Sequence, residues 1–527
     1  MFRLLAAGLV LLGASSPAML PLRSAHAQQQ RTVFCLSDGT EVSVDRFETR
    51  DGKFLLFVPG GSAPLEYPSS SVKGIKMPCP AAPAAPRFGI HGSNTVGERL
   101  MPMLIEAYGQ RRLGVRPTAR LTAPEEQEIT VKSPSGPRAI IDLHAHGSGT
   151  ATAALVDGTA VIGMASRRLN SDEVRLLGQR FSVDMLAPGN EHVLALDGLA
   201  VIVNPSNPIK QLRLDQIAKI FSGEVANWRE VGGPDRPIKI LRRDDKSGTY
   251  DTFKTLVLAP FRVSISPQAK LFESSETLSA EVTRDLDTIG FIGLPYVNRN
   301  IALSIASSCG ISSAPSKYLI KTEEYPLARR LYLYTIGAPA DPTARELLQF
   351  ALSDDAQSTV QDAEFVDQAV AQQDESDQRR WADANIENPT QTLPPGKLVP
   401  NDAMQAFRRA INNVSRTSIV FRFDQGSAHL DTRALQDIDR LSRYLSSSMA
   451  SGKRFYIVGF ADAKGSWGSN RALAEERARQ VVEALARAGA RAPRDYVLSM
   501  SYMAPVACND TDEGMAKNRR VEVWIAR

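Results

Sequence analysis

The sequence predicts a multidomain protein: a small all-β unit at the N-terminal end, an α/β domain at the centre and a smaller α/β domain at the C-terminal end. Three observations carry this. Two strand-like runs, Thr40 to Val44 and Phe54 to Val58, lie among the turn pairs Asp38-Gly39, Asp51-Gly52 and Gly60-Gly61. In the centre, strand-like and helix-like segments alternate, and Val193 to Val203 is an apolar run as long as a strand buried on both faces. Two breaks, Ala81 to Pro86 and the Pro-rich, charged stretch 371–401, separate the three parts.

Residues 1–27 read as a secretory signal. Arg3 supplies a positive start, Leu4 to Leu12 an apolar core too short to span a bilayer, and Ala25-His26-Ala27 a small-residue cleavage site. An exported protein follows, with residues 28–80 as a small barrel or meander and 81–87 as a linker. Export permits disulfides. Cys35 and Cys79 bracket the small unit and are the expected pair; Cys309 and Cys508 are either free or joined across touching domains. The formal net charge is +4 over 527 residues, which gives no electrostatic footprint for nucleic acid. No Cys-x-x-Cys and no His/Cys cluster at ligand spacing occurs, so neither a metal nor another cofactor is expected. The role of residues 31–80 is not legible.

The central domain carries three copies of one local sequence: Gly92-Ser93-Asn94-Thr95, Gly147-Ser148-Gly149-Thr150 and Lys246-Ser247-Gly248-Thr249. Each follows a strand-like run and opens a helix-like one. Ser and Thr cap such helix starts, and the first-turn amides with the positive dipole end favour an anion. Converging, the three would form an oxyanion site, with Arg242 and Arg243 beside the third to supply a planar charge.

These repeats, together with Val161 to Arg167, Asp197 to Pro205, Ile220 to Gly223, Asn227-Trp228 and Gly232-Gly233-Pro234, resemble the periplasmic phosphate-binding protein of phosphate ABC importers. The resemblance covers residues 88–370. It implies two α/β lobes that close on ligand: residues 88 to about 190 with about 305 to 370, and about 195 to 300. It also implies inorganic phosphate or a similar oxyanion as ligand and an ABC permease as partner. The family's anion contacts fall on Asn94, Thr95, Val96, Ser148, Arg243, Ser247, Gly248 and Thr249. Arg167 is a further candidate, standing where some relatives have an Asp that accepts the phosphate proton. Lys246 stands where Gly is common.

An enzyme is not expected. Ser148 and Ser247 lie near His91, His144 and His146, but no nucleophile elbow or ordered Ser-His-acid set occurs. His144 and His146 are read as alternating at a strand end, with at most one facing the cleft.

Residues 371–401 are expected to be a flexible or semi-extended linker, since Pro389, Pro394, Pro395 and Pro400 oppose a long helix. Residues 402–527 read as βαβαβ: strand Ser418 to Phe423, a helix with Ala434, Ile438, Leu441 and Leu445 on one face, strand Arg454 to Gly459, a helix with Ala474, Ala478, Val481 and Leu485 on one face, and a last strand alternating Val521, Val523 and Ile525. The run Gly459-Phe460-Ala461-Asp462, then Gly465, Asn470, Leu473, Arg477 and Ala478, then Asn518 to Glu522, resembles the C-terminal peptidoglycan-binding domain of outer-membrane protein A. It departs at Phe460, Ala461 and Ala474. The resemblance implies that Asp462, Asn470 and Arg477 hold the diaminopimelate stem peptide, Asp462 taking its ammonium and Arg477 its carboxylate. Of Arg519 and Arg520, one is expected to face inward and the other water. Together these readings give a periplasmic, non-enzymatic solute-binding protein held on the cell wall. The other reading is an envelope structural or sensing protein that reuses the binding-protein fold.

Overall fold

The computed structural model describes residues 32–36, 40–75, 85–133, 136–245, 247–387, 393–423, 430–448, 450, 452–490 and 497–527. The signal segment, the Asp38-Gly39 turn, Cys79 and Lys246 lie outside the described residues. The chain divides into two units, 1–84 and 85–527.

The first unit contains two three-stranded antiparallel sheets. In one, Thr32–Leu36 lies between Glu41–Val44 and Val72–Ile75; in the other, Lys53–Phe57 lies between Arg46–Arg50 and Leu65–Pro68. Phe34, Leu36, Val42, Val44 and Leu56 form its core, with Phe34 edge-on to Phe47 and Phe54 at 4.8 and 5.2 Å. Cys35 is disulfide-bonded; the Cys79 expected to meet it lies outside the described residues.

In the second unit a sheet of eleven strands runs through both lobes. The strand Glu191–Val203, buried along its whole length, joins them. Its first half, to Gly198, pairs with Ala328–Tyr334, and its second half, from Leu199, pairs with Thr288–Gly293. On one side of this crossing, Ile162–Ala165, Arg87–Gly92 and Gly136–His144 pair in parallel, as the alternation of apolar runs and helices predicts. The hairpin Thr118–Ala123 with Glu126–Ser133 extends them antiparallel. On the other side, Lys239–Arg243 runs parallel to both Thr288–Gly293 and Lys270–Phe272. Each lobe has its own core. The boundary differs from the expected one. Leu303, Ile305, Ile320, Tyr325 and Leu327 pack into the second lobe, so the chain returns to the first only at the strand from Ala328.

The C-terminal sheet has the order Val414–Arg422, Arg520–Ala526, Phe455–Phe460, Val497–Ser499. The helices Thr432–Ser446 and Trp467–Arg487 bury the faces that their periodicity marks. The expectation of a loose tether over 371–401 is corrected. Glu375–Glu387 is a helix, because the prolines begin only after it. Trp381 and Ala382 pack with Phe407 of helix Asn401–Ile411 and with Trp524. Gln378 donates to the Val414 carbonyl at 2.8 Å and accepts from the Arg416 amide at 2.9 Å.

The C-terminal domain also docks on both lobes. On the second lobe, Cys309 and Cys508 form a disulfide with Cα atoms 5.7 Å apart. There too the Tyr318 hydroxyl donates to the Thr417 carbonyl at 3.1 Å, and Arg416 pairs with Glu324 at 2.7 Å. On the first lobe, the Thr432 hydroxyl donates to the Leu186 carbonyl at 3.0 Å, and Arg443 pairs with Asp354 at 2.7 Å. At the seam Glu323 accepts from Arg330 and Arg433, and Arg330 also reaches Asp431 at 2.9 Å. Burial, which alone raises a carboxyl pKa, is overcome at Glu323 by Arg330 and Arg433, and its pKa lies well below the usual range. Removing the disulfide with Cys309→Ser and Cys508→Ser should lower unit stability by about 2–4 kcal/mol, read as a shift of the urea midpoint under non-reducing conditions. An unchanged midpoint would mean that the noncovalent seam suffices. Among the described residues no helix is long and apolar enough to cross a membrane.

Candidate functional site

The first and second repeats meet because their strands are neighbours. Strand Arg87–Gly92 ends at Gly92, with φ 141°, where a Cβ would stand 2.0 Å from the Met164 carbonyl oxygen. Only glycine fits, and the Ser93 amide then bonds that same carbonyl at 2.9 Å. The first bond of the following helix runs from the Gly97 amide to the Ser93 carbonyl, so the amides of Asn94, Thr95 and Val96 precede the intrahelical ladder. The Gly147 amide reaches back to the Gly92 carbonyl at 2.8 Å and ties the second loop to the first. Ser148 opens helix Ser148–Asp157, and its Oγ accepts from the Ser166 amide at 3.0 Å.

The third repeat arrives from the other lobe. Ser247 caps the helix that starts at Gly248, its Oγ accepting from the Thr249 amide at 3.2 Å. A Cβ on Gly248 would lie 2.8 Å from Ser166 Oγ and 2.9 Å from Thr95 Oγ1. The two lobes therefore touch here. The cleft they enclose measures about 40 Å³ and is lined by Asn94, Thr95, Arg243, Ser247, Gly248 and Thr249, with Asp197 and Arg329 on the crossing strands. As it stands, that is room for a few atoms. A larger, mostly apolar pocket of about 390 Å³ lies at the seam with the C-terminal domain, away from the three repeats.

Charge in the cleft is unevenly met. Buried Arg329 is neutralised by Asp197, with nitrogen–oxygen distances of 2.6 and 2.8 Å, and donates to the Gly248 carbonyl at 2.8 Å. Arg243 is held by neutral acceptors, Ser275 Oγ at 2.6 Å and the Glu273 carbonyl at 2.7 Å; Asp244 stands off at 3.8 Å. Arg243 Nε, Asn94 Oδ1 and Ser93 Oγ are buried without a protein partner. Buried polar atoms of this kind carry a cost unless something else pairs with them. The arrangement suits a small anion: helix-start amides, hydroxyls and one guanidinium whose carboxylate neighbour, Asp244, stands at 3.8 Å, beyond hydrogen-bond distance.

Of the sequence candidates, Asn94, Thr95, Arg243, Ser247, Gly248 and Thr249 line the cleft. Buried Val96 can offer only its backbone, and Ser148 hydrogen-bonds Ser166 rather than lining the cleft. Arg167 is not brought in. Its guanidinium forks onto Glu173 at 2.7 and 2.9 Å, and Glu173 also completes the capping box of helix Ser171–Phe181 with Asn170. Sequence reasoning missed Arg329 and Asp197, which line the cleft. The available signal was an arginine pair inside the otherwise apolar strand Ala328–Tyr334. The reading of His144 and His146 is corrected as well. The strand ends at His144 and His146 lies in the bend after it, so the two do not alternate, and both imidazoles approach Glu126.

In the C-terminal domain Asp462 and Asn470 are joined through one loop. Asp462 Oδ1 accepts from the Lys464 amide at 2.8 Å, and Asn470 Nδ2 donates to the Lys464 carbonyl at 2.8 Å. Arg477 lies about three turns into its helix. It is fully buried, and burial with the neighbouring Arg519 pushes its pKa down to about 10 against the pull of Asp462. Arg519, which sequence reasoning did not place among the site residues, bonds Asp462 Oδ2 at 3.0 Å. The expectation that one of Arg519 and Arg520 is solvated is corrected: Arg520 is buried, bonding Glu522 at 2.7 Å and the Ala504 carbonyl at 2.8 Å. Phe460, where the resemblance departs, is the aromatic face beneath Arg520, 3.9 Å away.

Comparison with known proteins finds two family matches in this chain. Residues 126–355 match a family model described as a PBP superfamily domain, and residues 422–519 match the OmpA family. The phosphate-binding protein PstS of Pseudomonas aeruginosa is 30% identical over 243 residues, covering 42% of this chain and 73% of that protein. PstS of Bacillus subtilis is 31% identical over 227 residues, covering 42% of this chain and 69% of that protein. Among solved structures, an ABC-type phosphate transport receptor from Vibrio cholerae is 24% identical with a TM-score of 0.41, covering 53% of this chain and 99% of that chain.

Proposed function

The chain belongs to the family of the phosphate-binding protein PstS, and from that premise we propose that its cleft captures phosphate, or an oxyanion of the same shape, between the two lobes. One observation carries the reading: Arg243, pinned by neutral acceptors, keeps a buried Nε without a partner beside helix starts contributed by both lobes. A tetrahedral anion would accept from Arg243, from the hydroxyls of Thr95 and Thr249 and from the amides of Asn94, Thr95, Val96 and Gly248. Ser148 acts behind them by orienting Ser166. The site binds and does not transform; a permease of the ABC class would take the anion onward.

The second half of the proposal concerns the C-terminal domain. Asp462, Asn470, Arg477 and Arg519 make a mixed-charge loop suited to the ammonium and carboxylate of diaminopimelate, and this would hold an exported protein on peptidoglycan in the periplasm. Arg519 already occupies one oxygen of Asp462, so an incoming ammonium would share that carboxylate.

Calorimetric titration of the full chain with phosphate, and separately with sulfate, tests the first half. Saturable heat with phosphate is expected, and no heat with either anion would remove it. A pulldown on purified peptidoglycan tests the second half. Asp462→Ala and Arg477→Ala should each release most of the protein, and retention equal to wild type would remove it. Wall binding without anion binding would favour the envelope scaffold, the reading that the docked C-terminal domain also suits.

A further inference from the structure

We propose that Glu126, His144 and His146 form a binding site for a divalent transition-metal ion of the Zn²⁺ class. The proposal is independent of the anion reading. One donor atom from each of the three residues lies within 4.8 Å of the others. The sheet puts them there. Glu126 opens strand Glu126–Ser133 and stands directly opposite His144 in the antiparallel register with Gly136–His144. His146 follows in the bend just beyond the strand end, its Nε2 turned to Glu126, and the Ala145 amide bonds the Glu125 carbonyl at 2.9 Å, tying this bend to the hairpin turn.

The atom positions suit an ion. Glu126 Oε1 lies 2.9 Å from His146 Nε2 and 3.9 Å from His144 Nδ1. Donors around a tetrahedral Zn²⁺ with bonds of about 2.1 Å stand about 3.4 Å apart. Small side-chain rotations bring the three to that spacing. Two imidazoles with one carboxylate select a borderline ion over Mg²⁺ or Ca²⁺, which prefer all-oxygen shells.

The surroundings are those of a ligand set as well. His146 turns its other nitrogen, Nδ1, to Glu125 Oε2 at 3.2 Å, the carboxylate behind a metal-ligating histidine that fixes its tautomer and raises its basicity. His144 is stacked on His91, with centroids 4.1 Å apart and planes 9° from parallel, which holds its ring in place. Three protein donors leave a fourth position open to water or an outside ligand. The site lies on the segment leading into Ser148, two residues beyond His146, so an ion there would lock the Glu125–Glu126 turn to that segment.

The test uses the full chain without a histidine tag, stripped with EDTA and dialysed against Zn²⁺ or Co²⁺ in a buffer free of phosphate. About one equivalent of Zn²⁺ per chain is expected beyond what the His144→Ala, His146→Ala double variant takes up, with tetrahedral-type visible bands from Co²⁺ in wild type alone. Glu125→Gln should weaken Zn²⁺ by about 10–100-fold. Equal uptake by wild type and double variant would overturn the proposal. If that variant does not fold, wild type decides alone: Zn²⁺ should protect His144 and His146 from diethylpyrocarbonate, read by peptide mass spectrometry, and no protection would overturn it.

Discussion

Alanine in place of Arg416 should lower the stability of the 85–527 unit by about 3–5 kcal/mol, the usual cost of removing one partner from a buried ion pair. Arg416 lies in strand Val414–Arg422, and its side chain is 1% exposed. It forks onto Glu522 with two bonds of 2.8 Å, reaches Glu324 of the second lobe at 2.7 Å, and stacks 3.9 Å above Trp381 of the linker helix. Without it, Glu522 retains Arg520 at 2.7 Å and the Trp524 indole at 2.7 Å, whereas Glu324 loses its cation. Most of the cost is therefore an uncompensated carboxylate at Glu324. Replacing both partners, Arg416→Met with Glu324→Leu, should recover most of the loss. Urea midpoints of the three proteins decide it; a single variant within about 1 kcal/mol of wild type would show that the cluster is solvated in solution.

The same cluster sets an acid limit. Burial alone raises the Glu522 pKa, but Arg416 and Arg520 bring it down to about 2. A carboxyl whose folded pKa is depressed contributes stability above its unfolded value, about 4.3, and loses it as pH falls toward the folded one. The unit should therefore weaken between about pH 4.3 and 2, and Glu522→Gln should flatten that slope in urea titrations at pH 7, 4 and 3. An unaltered slope would assign the acid sensitivity elsewhere.

The second large effect is expected in the cleft. Arg243→Ala should weaken phosphate by about 2–5 kcal/mol, or about 30–5,000-fold, since a charge-assisted pair in a desolvated site is removed. Arg243→Lys should restore charge but not the fork, and so recover only part of the loss. Gly248→Ala approaches the same point sterically. The new Cβ would press on Ser166 Oγ and Thr95 Oγ1, both under 3 Å away, and so hold the lobes apart. Overpacking of about 1–3 kcal/mol predicts about 5–150-fold weaker phosphate. Calorimetry reads all three, with thermal melting to establish that each variant folds. Wild-type affinity in Arg243→Ala would separate the cleft from phosphate altogether.

What was legible in the sequence was local. Each anion loop announces itself by a strand, a small-residue turn and a helix start, and the order of those signals along the chain is enough to place them at one end of a sheet. Arg329 and Asp197 were not legible, because their pairing depends on which residues of two distant antiparallel strands face each other. The Arg167 pairing was overlooked for the opposite reason. Its partner, Glu173, lies six residues away and doubles as a helix-capping acid, a local signal that outranks a position borrowed from relatives. The linker was misjudged because its prolines follow the helix Glu375–Glu387 rather than interrupt it, and because Trp381 finds its partners only after Phe407 and Trp524 are in place. The histidines were misjudged because the strand stops at His144 and the bend after it turns His146 toward Glu126 as well.

The C-terminal domain holds one lobe through a disulfide and a buried arginine, and the other through Thr432 and Arg443. Its body is thus a brace across a joint. Any widening between the halves must be taken up as slip at one of those attachments, and the exposed Arg443–Asp354 contact is the weaker. The cleft and the C-terminal domain are therefore not independent bodies: the attachments that fix the one also span the two sides of the other.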